Sequence, residues 1–335
     1  MSTLPRIALA LGDQAGIGPE IALKAALDAR VRAACIPVLV GDRRALEWHA
    51  QSCGIAADIV SIAGFADAGR SSAVEIVDLD QFRDEHLQPG EIAAAHGRAA
   101  VAAAAFAIKG AMAGEVEAVV ACPQTELAIH QAGIAFDGYP SFVARCTGTP
   151  IEDAFLMLCF DTKRIVHTTL HVSLRRSIDL ITHARLMRVM QATHDVLRGL
   201  GVTSPRIAVS GLNPHAGEAG MFGDEEITTI APALEAARQA GLLVEGPFGA
   251  DTMFHKSGFD AFIVMYHDQG HLAAKLLATN RTAGMTIGTP ILFSSVAHGS
   301  ALDIAGQNKA SPEAVVEAVQ RLAGAAIHRR AMALA

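Results

Sequence analysis

The amino-acid sequence predicts an α/β protein built as two α/β/α lobes with a cleft. The chain has 335 residues and is 51% hydrophobic, which suffices to bury a large core and suggests two units of ordinary domain size. Apolar runs of strand length alternate with longer amphipathic segments. Because buried parallel strands are continuous apolar runs joined by helices, this alternation predicts a largely parallel sheet.

The elements can be placed in order along the chain. The strand-like runs are "RIALAL", "IPVLVGD", "VEAVVACP", "RIAVSGLNP" and "FDAFIVMYHDQ". Two segments are typical of helices, "EIAAAHGRAAVAAAAFAIKGAMAG" and "HARLMRVMQATHDVLRGLG". The small residues of the first favour close packing. In "GDQAGIGPE", Pro19 suits a first helical turn after a tight strand-to-helix turn, and no dinucleotide or phosphate fingerprint is present.

Composition narrows the class of protein. Lys+Arg 27 against Asp+Glu 34 gives a net charge of −7, without long basic runs, so nucleic acid is not expected as a partner. The five cysteines are scattered and predict neither a disulfide framework nor a thiolate zinc site. No segment has the apolar length of a signal sequence or membrane helix. We therefore expect a cytoplasmic protein without membrane partners.

Three histidines follow or end apolar segments, at the positions where ligands bind in open α/β sheets. They are His171 in "TTLHVSL", His215 in "NPHAG" and His267 in "MYHDQ". Each alone is typical of a surface or hydrogen-bonded histidine. Together, three neutral imidazoles would leave an open position on a divalent metal, as in catalytic zinc sites. His271 is left out of the set, because Gly270 argues against one helical face that includes both it and His267.

Several motifs resemble one known family. "HGSALDIAG" is similar to the cofactor loop of the isocitrate and isopropylmalate dehydrogenase superfamily. "GDQAGIGPE", "GLNPHAGE", "GADTMF" and "YHDQGH…K" together resemble its 4-hydroxythreonine-4-phosphate dehydrogenase branch, over nearly the whole chain and in order. The segment "ACPQTELAIHQAGIAFDGYPS" also resembles the corresponding segment of a catabolic subgroup of this family. Members of that subgroup act on the cis-dihydrodiol of terephthalate.

The resemblance implies a division of the chain and a set of site residues. Residues 1–130 with 300–335 would form the cofactor-side lobe, and 131–299 the substrate, metal and dimerisation lobe. A homodimer would share its active site, with a divalent metal, expected to be zinc, held by His171, His215 and the neighbouring subunit's His267. Lys275 matches the substrate lysine of the family. Asp251 and Asp268 are the candidate carboxylates for proton relay or histidine support, with turn capping as the alternative.

The cofactor loop and its chemistry are also implied by the resemblance. His298, Gly299, Ser300 and Asp303 would bind the dinucleotide. Asp303 near an adenosine ribose would repel a 2′-phosphate, which favours NAD over NADP.

The departures from the family pattern bear on the substrate. The Gly-His-Thr-Glu motif of the family is replaced here by Gly138, Tyr139, Pro140 and Ser141. In addition, a family lysine is replaced by Glu126, an asparagine by Gly284 and an arginine by Phe293. A phosphate dianion would lose its charge-assisted partners. Tyr139 and Phe293 are instead predicted to offer flat apolar walls to a carbocycle. The candidate partners of its remote carboxylate are Ser141, Ser294, Ser295 and Arg145.

Three functions follow as hypotheses. The first is an NAD- and metal-dependent decarboxylating dehydrogenase of a cis-dihydrodiol dicarboxylate. The second keeps the reaction but takes 4-phosphohydroxythreonine or a related sugar-acid phosphate. The third is a metallohydrolase, because a three-histidine site with an open position also suits hydrolysis.

Overall fold

A computed structural model describes residues 4–83, 86–278 and 282–334 of the chain. These fall into two compact units, Met1–Thr147 with Pro290–Ala335, and Gly148–Thr289. We call them the first unit and the second unit. Residues 131–147 and 290–299 belong to the first unit, whereas the predicted division had placed them in the other lobe. The roles expected for the two lobes stay predictions.

The first unit is a parallel sheet with helices. Its strands are β1 Arg6–Ala10, β2 Ile36–Gly41, β3 Ile59–Ile62, β4 Val74–Asp78, β5 Ala118–Ala121 and β12 Leu292–Val296. Their order is β3-β4-β2-β1-β5-β12, and every neighbouring pair is parallel. The register pairs Ala8 of β1 with Val38 on one side and Val119 on the other. This confirms the α/β fold and the parallel pairing.

The helices of the first unit connect these strands. They are α1 Gly18–Leu27, α2 Ala29–Ala34, α3 Arg43–Ser52, α4 Ala94–Met112, α5 Glu126–Gln131, α6 Tyr139–Thr147 and α12 Glu313–Leu334. The alanines of α4 pack against the sheet, with Ala103, Ala104 and Ala107 fully buried. A Cβ on Gly97 would lie 2.3 Å from the Ala128 carbonyl oxygen, so small residues let α4 and α5 approach closely.

The second unit has a mixed sheet. Its strands are β6 Phe155–Phe160, β7 Lys163–His167, β8 Arg206–Ser210, β9 Leu243–Phe248, β10 Ala261–Val264 and β11 Ala283–Ile287, in the order β11-β6-β7-β10-β8-β9. β6 pairs antiparallel with β7 and β11, and the other pairs are parallel. Two of the five described pairs of this unit are thus antiparallel, because β6 and β7 form a hairpin and β11 runs opposite to β6. The other three are parallel, as the sequence predicts for most of the sheet.

Helices of the second unit follow the strands that carry the candidate site. They are α7 Leu174–Leu180, α8 His183–Gly199, α9 Ala231–Gln239, α10 Ala250–Met253 and α11 His267–Leu277. A 3₁₀ segment covers Pro214–Gly220, and a π-helical turn covers Glu226–Ile230. The core between α11 and the sheet contains Phe160, Ile165, Phe262 and Ala274. This packing fixes α11, and with it the candidate ligands at its start.

Candidate active site

Four histidine rings lie together at the carboxyl ends of β7 and β10. His167 ends β7, His171 follows four residues later, and His267 and His271 lie in the first turns of α11. The His267 ring centre is 5.7 Å from that of His171 and 6.4 Å from that of His167. The His167 and His271 ring centres are 4.6 Å apart. The parallel pairing of β7 and β10 puts these ends at the same edge, as expected for a ligand site in an α/β sheet.

His267 is oriented by the residue that follows it. Its Nδ1 lies 2.7 Å from Oδ1 of Asp268, and a carboxylate can only accept, so Nδ1 carries the proton. This tautomer leaves the lone pair on Nε2. A carboxylate that fixes the tautomer and orientation of an imidazole is the common support of a metal-binding histidine. Asp268 therefore has the geometry of such a support.

The exclusion of His271 from the His267 face was wrong. α11 continues through Gly270, and the rings of His267 and His271 stack with centres 3.8 Å apart and planes at 5°. Glycine is needed here by the neighbouring ring, because a Cβ on Gly270 would lie 2.3 Å from Nε2 of His167. Gly270 thus allows α11 to approach β7 rather than ending a helical face.

Burial keeps two of these imidazoles neutral. Burial, followed by the nearby His271, lowers the pKa of His167 to about 3. Burial and the neighbouring His267 lower the pKa of His271 to about 4. Within the described part of the chain, Nε2 of His167 is buried without a hydrogen-bond partner. His167 was missed by the sequence reading because it ends the apolar strand "KRIVH" and resembles a core residue.

The spacing of His171 and His267 fits one bound ion. Zinc binds imidazole nitrogen at about 2.0 Å, so two rings on one tetrahedral ion have centres roughly 5 Å apart. The observed 5.7 Å is close to that value. The stacked rings of His267 and His271 are nearly parallel, so both cannot direct a nitrogen to the same ion. His171 and His267 are therefore the pair that suits a metal.

His215 does not complete the set within one chain. In residues 4–83, 86–278 and 282–334, no three His, Cys, Asp or Glu side chains lie close enough together to hold an ion. His215 is exposed in the 3₁₀ segment, where it has a left-handed backbone with φ 52°. Asp251 is exposed in α10, beside this segment. The chain thus brings His171 and His267 together, whereas His215 lies apart from them among the described residues. The expected contribution of His267 from a neighbouring subunit stays a prediction.

Gln269 links the segment that carries His267 to the segment that carries His215 through hydrogen bonds. Its Oε1 accepts a hydrogen bond of 2.8 Å from the Met265 backbone N–H. Its Nε2 donates to the carbonyl of Gly211, at 3.2 Å. Met265 follows β10 and precedes His267, whereas Gly211 follows β8 and begins the segment of His215. The sequence alone assigns no role to Gln269.

A cavity of about 450 Å³ opens beside the histidine pair. It is bordered by His171 and His267, by Tyr266, and by the aliphatic side chains of Leu170, Val172 and Leu174. Its wall combines candidate metal ligands with apolar surface. Such a mixture suits a small molecule with an apolar body and a few polar groups.

The predicted substrate residues of the second unit lie on α11 and β11. Lys275 is exposed, eight residues after His267 on the same helix. Gly284 is buried in β11, where it pairs with Leu158 of β6. A side chain is absent at this position, so no amide is available to a ligand.

Tyr139 and Phe293 pack against each other in the core of the first unit. Their ring centres are 5.0 Å apart, and Phe293 is 0% exposed. Burial raises the pKa of the Tyr139 hydroxyl far above its usual value. Phe293 is therefore a core residue rather than an open wall, which corrects the role expected of it. Ser141, two residues after Tyr139 on α6, is half-buried.

Ser300 joins three loops of the first unit. Its carbonyl accepts from the Ile17 N–H at 2.9 Å, and its hydroxyl accepts from Thr125 Oγ1 at 3.0 Å. A Cβ on Gly16 would lie 2.4 Å from the Ser300 carbonyl oxygen. The loops after β1, β5 and β12 therefore meet at Ser300.

The other predicted cofactor residues lie on the loop of Ser300. Nδ1 of His298 lies 3.2 Å from the carbonyl oxygen of Gly299. Asp303 is exposed in a 3₁₀ turn, Leu302–Ile304. These side chains border solvent and are accessible to a ligand.

Solved structures share this fold along its length. A 4-hydroxythreonine-4-phosphate dehydrogenase from Klebsiella pneumoniae is 36% identical, with a TM-score of 0.84 over 95% of this chain and 99% of its own. A terephthalate 1,2-cis-dihydrodiol dehydrogenase from Burkholderia xenovorans is 38% identical, with a TM-score of 0.69 over 96% and 98%. Both are dehydrogenases, and the chain is accordingly an oxidoreductase of that class.

The sequence comparisons give the family. The chain belongs to the family described as pyridoxal phosphate biosynthetic protein PdxA, whose model matches residues 33–322. A 1,2-dihydroxy-3,5-cyclohexadiene-1,4-dicarboxylate dehydrogenase from Comamonas is 40% identical over 317 residues, 95% of this chain and 96% of the relative. This confirms the resemblance seen in the motifs, and it gives no support to the hydrolase hypothesis. No helix among the described residues is long and apolar enough to span a membrane.

Proposed function

We propose that the protein oxidises and decarboxylates an aromatic-carboxylate cis-dihydrodiol, 1,2-dihydroxy-3,5-cyclohexadiene-1,4-dicarboxylate, to 3,4-dihydroxybenzoate, with NAD as oxidant, as a step of terephthalate breakdown. The observation that carries this is Phe293, which is wholly buried against Tyr139 at the position matching the family's arginine. Phe293 offers no cation to a phosphate. The Comamonas relative with the corresponding name supports the same substrate.

The cavity supports a cyclic substrate independently of Phe293. Its apolar side is formed by Leu170, Val172 and Leu174, next to His171 and His267. A flat ring would lie against the aliphatic side chains, and its vicinal oxygens would face the two imidazoles. This arrangement assigns the apolar contacts to the second unit instead of to Tyr139 and Phe293.

The reaction balances without an added reactant. Hydride leaves the carbon that bears the secondary hydroxyl and reduces NAD to NADH. The resulting β-keto acid loses carbon dioxide, and the electron pair left behind forms an enolate that is already part of an aromatic ring. The proton of the oxidised hydroxyl returns to that oxygen, which gives the catechol.

The chain's own residues bind the substrate and move the proton. His171, His215 and His267 would hold a divalent ion, expected to be zinc, which supplies a Lewis acid for negative charge on the substrate oxygens. Asp268 keeps the proton of His267 on Nδ1. Lys275 would donate from Nζ to the substrate, and Asp251 would relay the proton. His298, Gly299, Ser300 and Asp303 would bind NAD.

A homodimer with a shared active site completes this proposal. Among the described residues, one chain pairs His171 with His267 but brings up no third donor. A third imidazole is needed for a catalytic three-ligand site. Association of two chains would supply it.

The test measures NAD reduction by the purified zinc-loaded protein with the terephthalate cis-dihydrodiol and, in parallel, with 4-phosphohydroxythreonine. Turnover of the diol with formation of 3,4-dihydroxybenzoate is expected, and NADP should be a poor substitute for NAD. Turnover of the phosphate ester alone would overturn the proposal. The Klebsiella relative makes that ester the second candidate.

A further inference from the structure

A buried carboxylate holds the start of the loop that carries His215. Glu226 is 3% exposed, and its Oε1 accepts from the backbone N–H groups of Leu212 and Asn213 at 2.7 and 2.8 Å. Its Oε2 accepts from Nδ2 of Asn213 at 2.9 Å. Burial acts to raise the pKa of Glu226, but the hydrogen bonds from Asn213 and Leu212 lower it overall. Glu226 is therefore an anion bound by the two residues that lead to His215.

Three glycines make room for this anchor. A Cβ on Gly211 would lie 2.9 Å from Glu226 Oε1, and one on Gly217 would lie 2.7 Å from Oε2. A Cβ on Gly223 would lie 2.4 Å from Asn213 Nδ2. Side chains at these positions would push the carboxylate and the amide apart. The loop is thus shaped around the Glu226 and Asn213 pair.

The loop needs an anchor because its own backbone is unfavourable. His215, Ala216, Glu218 and Ala219 have φ values of 52°, 55°, 42° and 56°. Residues with a Cβ avoid this left-handed region. A run of such residues persists only where the surrounding structure holds it. Such strain collects at functional sites, and Glu226 also begins a π-helical turn, another feature common there.

We infer that Glu226 is a positioning residue for His215: it sets where the imidazole is presented to a metal, without touching substrate. The inference rests on the proposed metal-binding role of His215. Gln269 fixes Gly211 from the side of His267, and Glu226 fixes Leu212 and Asn213 from the other side. The segment that carries His215 is consequently held in one position in each chain.

The experiment compares Glu226→Gln with a matched variant elsewhere. Glu75, in the first unit, is also buried and accepts from three backbone N–H groups, those of Gly69, Arg70 and Ser71. Glu75→Gln therefore replaces one accepting oxygen of the same kind of anchor in an unrelated loop. Zinc affinity of the full chain is measured by chelator competition for the wild type, both variants and His215→Ala. NAD affinity and the urea midpoint are measured alongside.

Glu226→Gln should bind zinc at least about tenfold more weakly, in line with the effect of losing a supporting partner of a ligand. Its NAD affinity should not change, because NAD is assigned to the other unit. Its amide exchange should speed up at Leu212 and Asn213. Glu75→Gln should keep zinc affinity at the wild-type level. Asn213→Ala, which keeps the backbone contacts, should weaken zinc binding less.

The outcomes separate the two proposals. Unchanged zinc affinity in Glu226→Gln and Asn213→Ala, with binding lost in His215→Ala, would overturn the role of Glu226 and leave the metal site standing. Unchanged affinity in His215→Ala would overturn the metal site, and the role of Glu226 with it. Equal weakening in Glu75→Gln would show a general loss of stability and would also overturn the role of Glu226.

Discussion

Removal of the Phe293 ring tests whether Phe293 is a core residue or a residue that contacts the substrate. The ring is 0% exposed, and its centre lies 5.0 Å from that of Tyr139. Phe→Ala in a core costs about 3–5 kcal/mol, and the loss of an aromatic pair accounts for roughly 0.5–1.5 kcal/mol of it. We expect Phe293→Ala to lower the free energy of unfolding by about 4 kcal/mol, and Phe293→Leu by about 1 kcal/mol.

The assay combines urea unfolding with steady-state kinetics. Leu127, on α5 of the same unit, is 52% exposed, and Leu127→Ala should change stability by less than about 0.5 kcal/mol. Phe293→Leu should keep the wild-type KM for the diol. A loss of stability below about 1 kcal/mol in Phe293→Ala, together with a raised KM, would refute the assignment of Phe293 to the core.

Three further predictions concern single side chains. Asp268→Asn should weaken zinc binding about tenfold in chelator competition, since the support of His267 is lost; equal affinity would contradict that role. Burial lowers the pKa of His49, so the folded state resists its protonation, and stability should fall as the pH drops below 6.5. His49→Gln should reduce this fall in urea titrations by up to about 1.4 kcal/mol per pH unit; an unchanged slope would count against it. Burial raises the pKa of the Cys122 thiol to about 12, so alkylation followed by mass spectrometry should find exposed Cys146 modified first, and early modification of Cys122 would contradict its burial.

The alternation of apolar runs and helices was sufficient to predict the α/β fold. Strands that are buried on both faces of a sheet are continuous apolar runs in the sequence. The hairpin of β6 and β7 was missed, since "FLMLCF" and "KRIVH" carry no sign of antiparallel pairing. Periodicity gives the type of an element but not its partner. The antiparallel pairs in the sheet of the second unit could therefore be identified only from the structure.

The candidate site was predicted in part. His171 and His267 were chosen because they follow apolar segments, and they lie together. His271 was excluded from the ligand set because Gly270 argued against one helical face. The glycine is instead required by the close approach of His167, which would contact a Cβ at this position. Contacts between distant segments have no local signature. For the same reason the sequence assigns no role to Glu226 beside the glycines it contacts.

The split of the first unit along the sequence has a consequence for synthesis. β12 completes the parallel sheet by pairing Leu292 with Ala118 of β5, so the edge of β5 stays uncovered until β12 has been made. The second unit, Gly148–Thr289, is continuous and emerges earlier from the ribosome. An uncovered strand edge can pair with strands of other chains and lead to aggregation. During translation, the nascent chain therefore carries an open β-edge whose protection depends on how fast the second unit and β12 are made after β5.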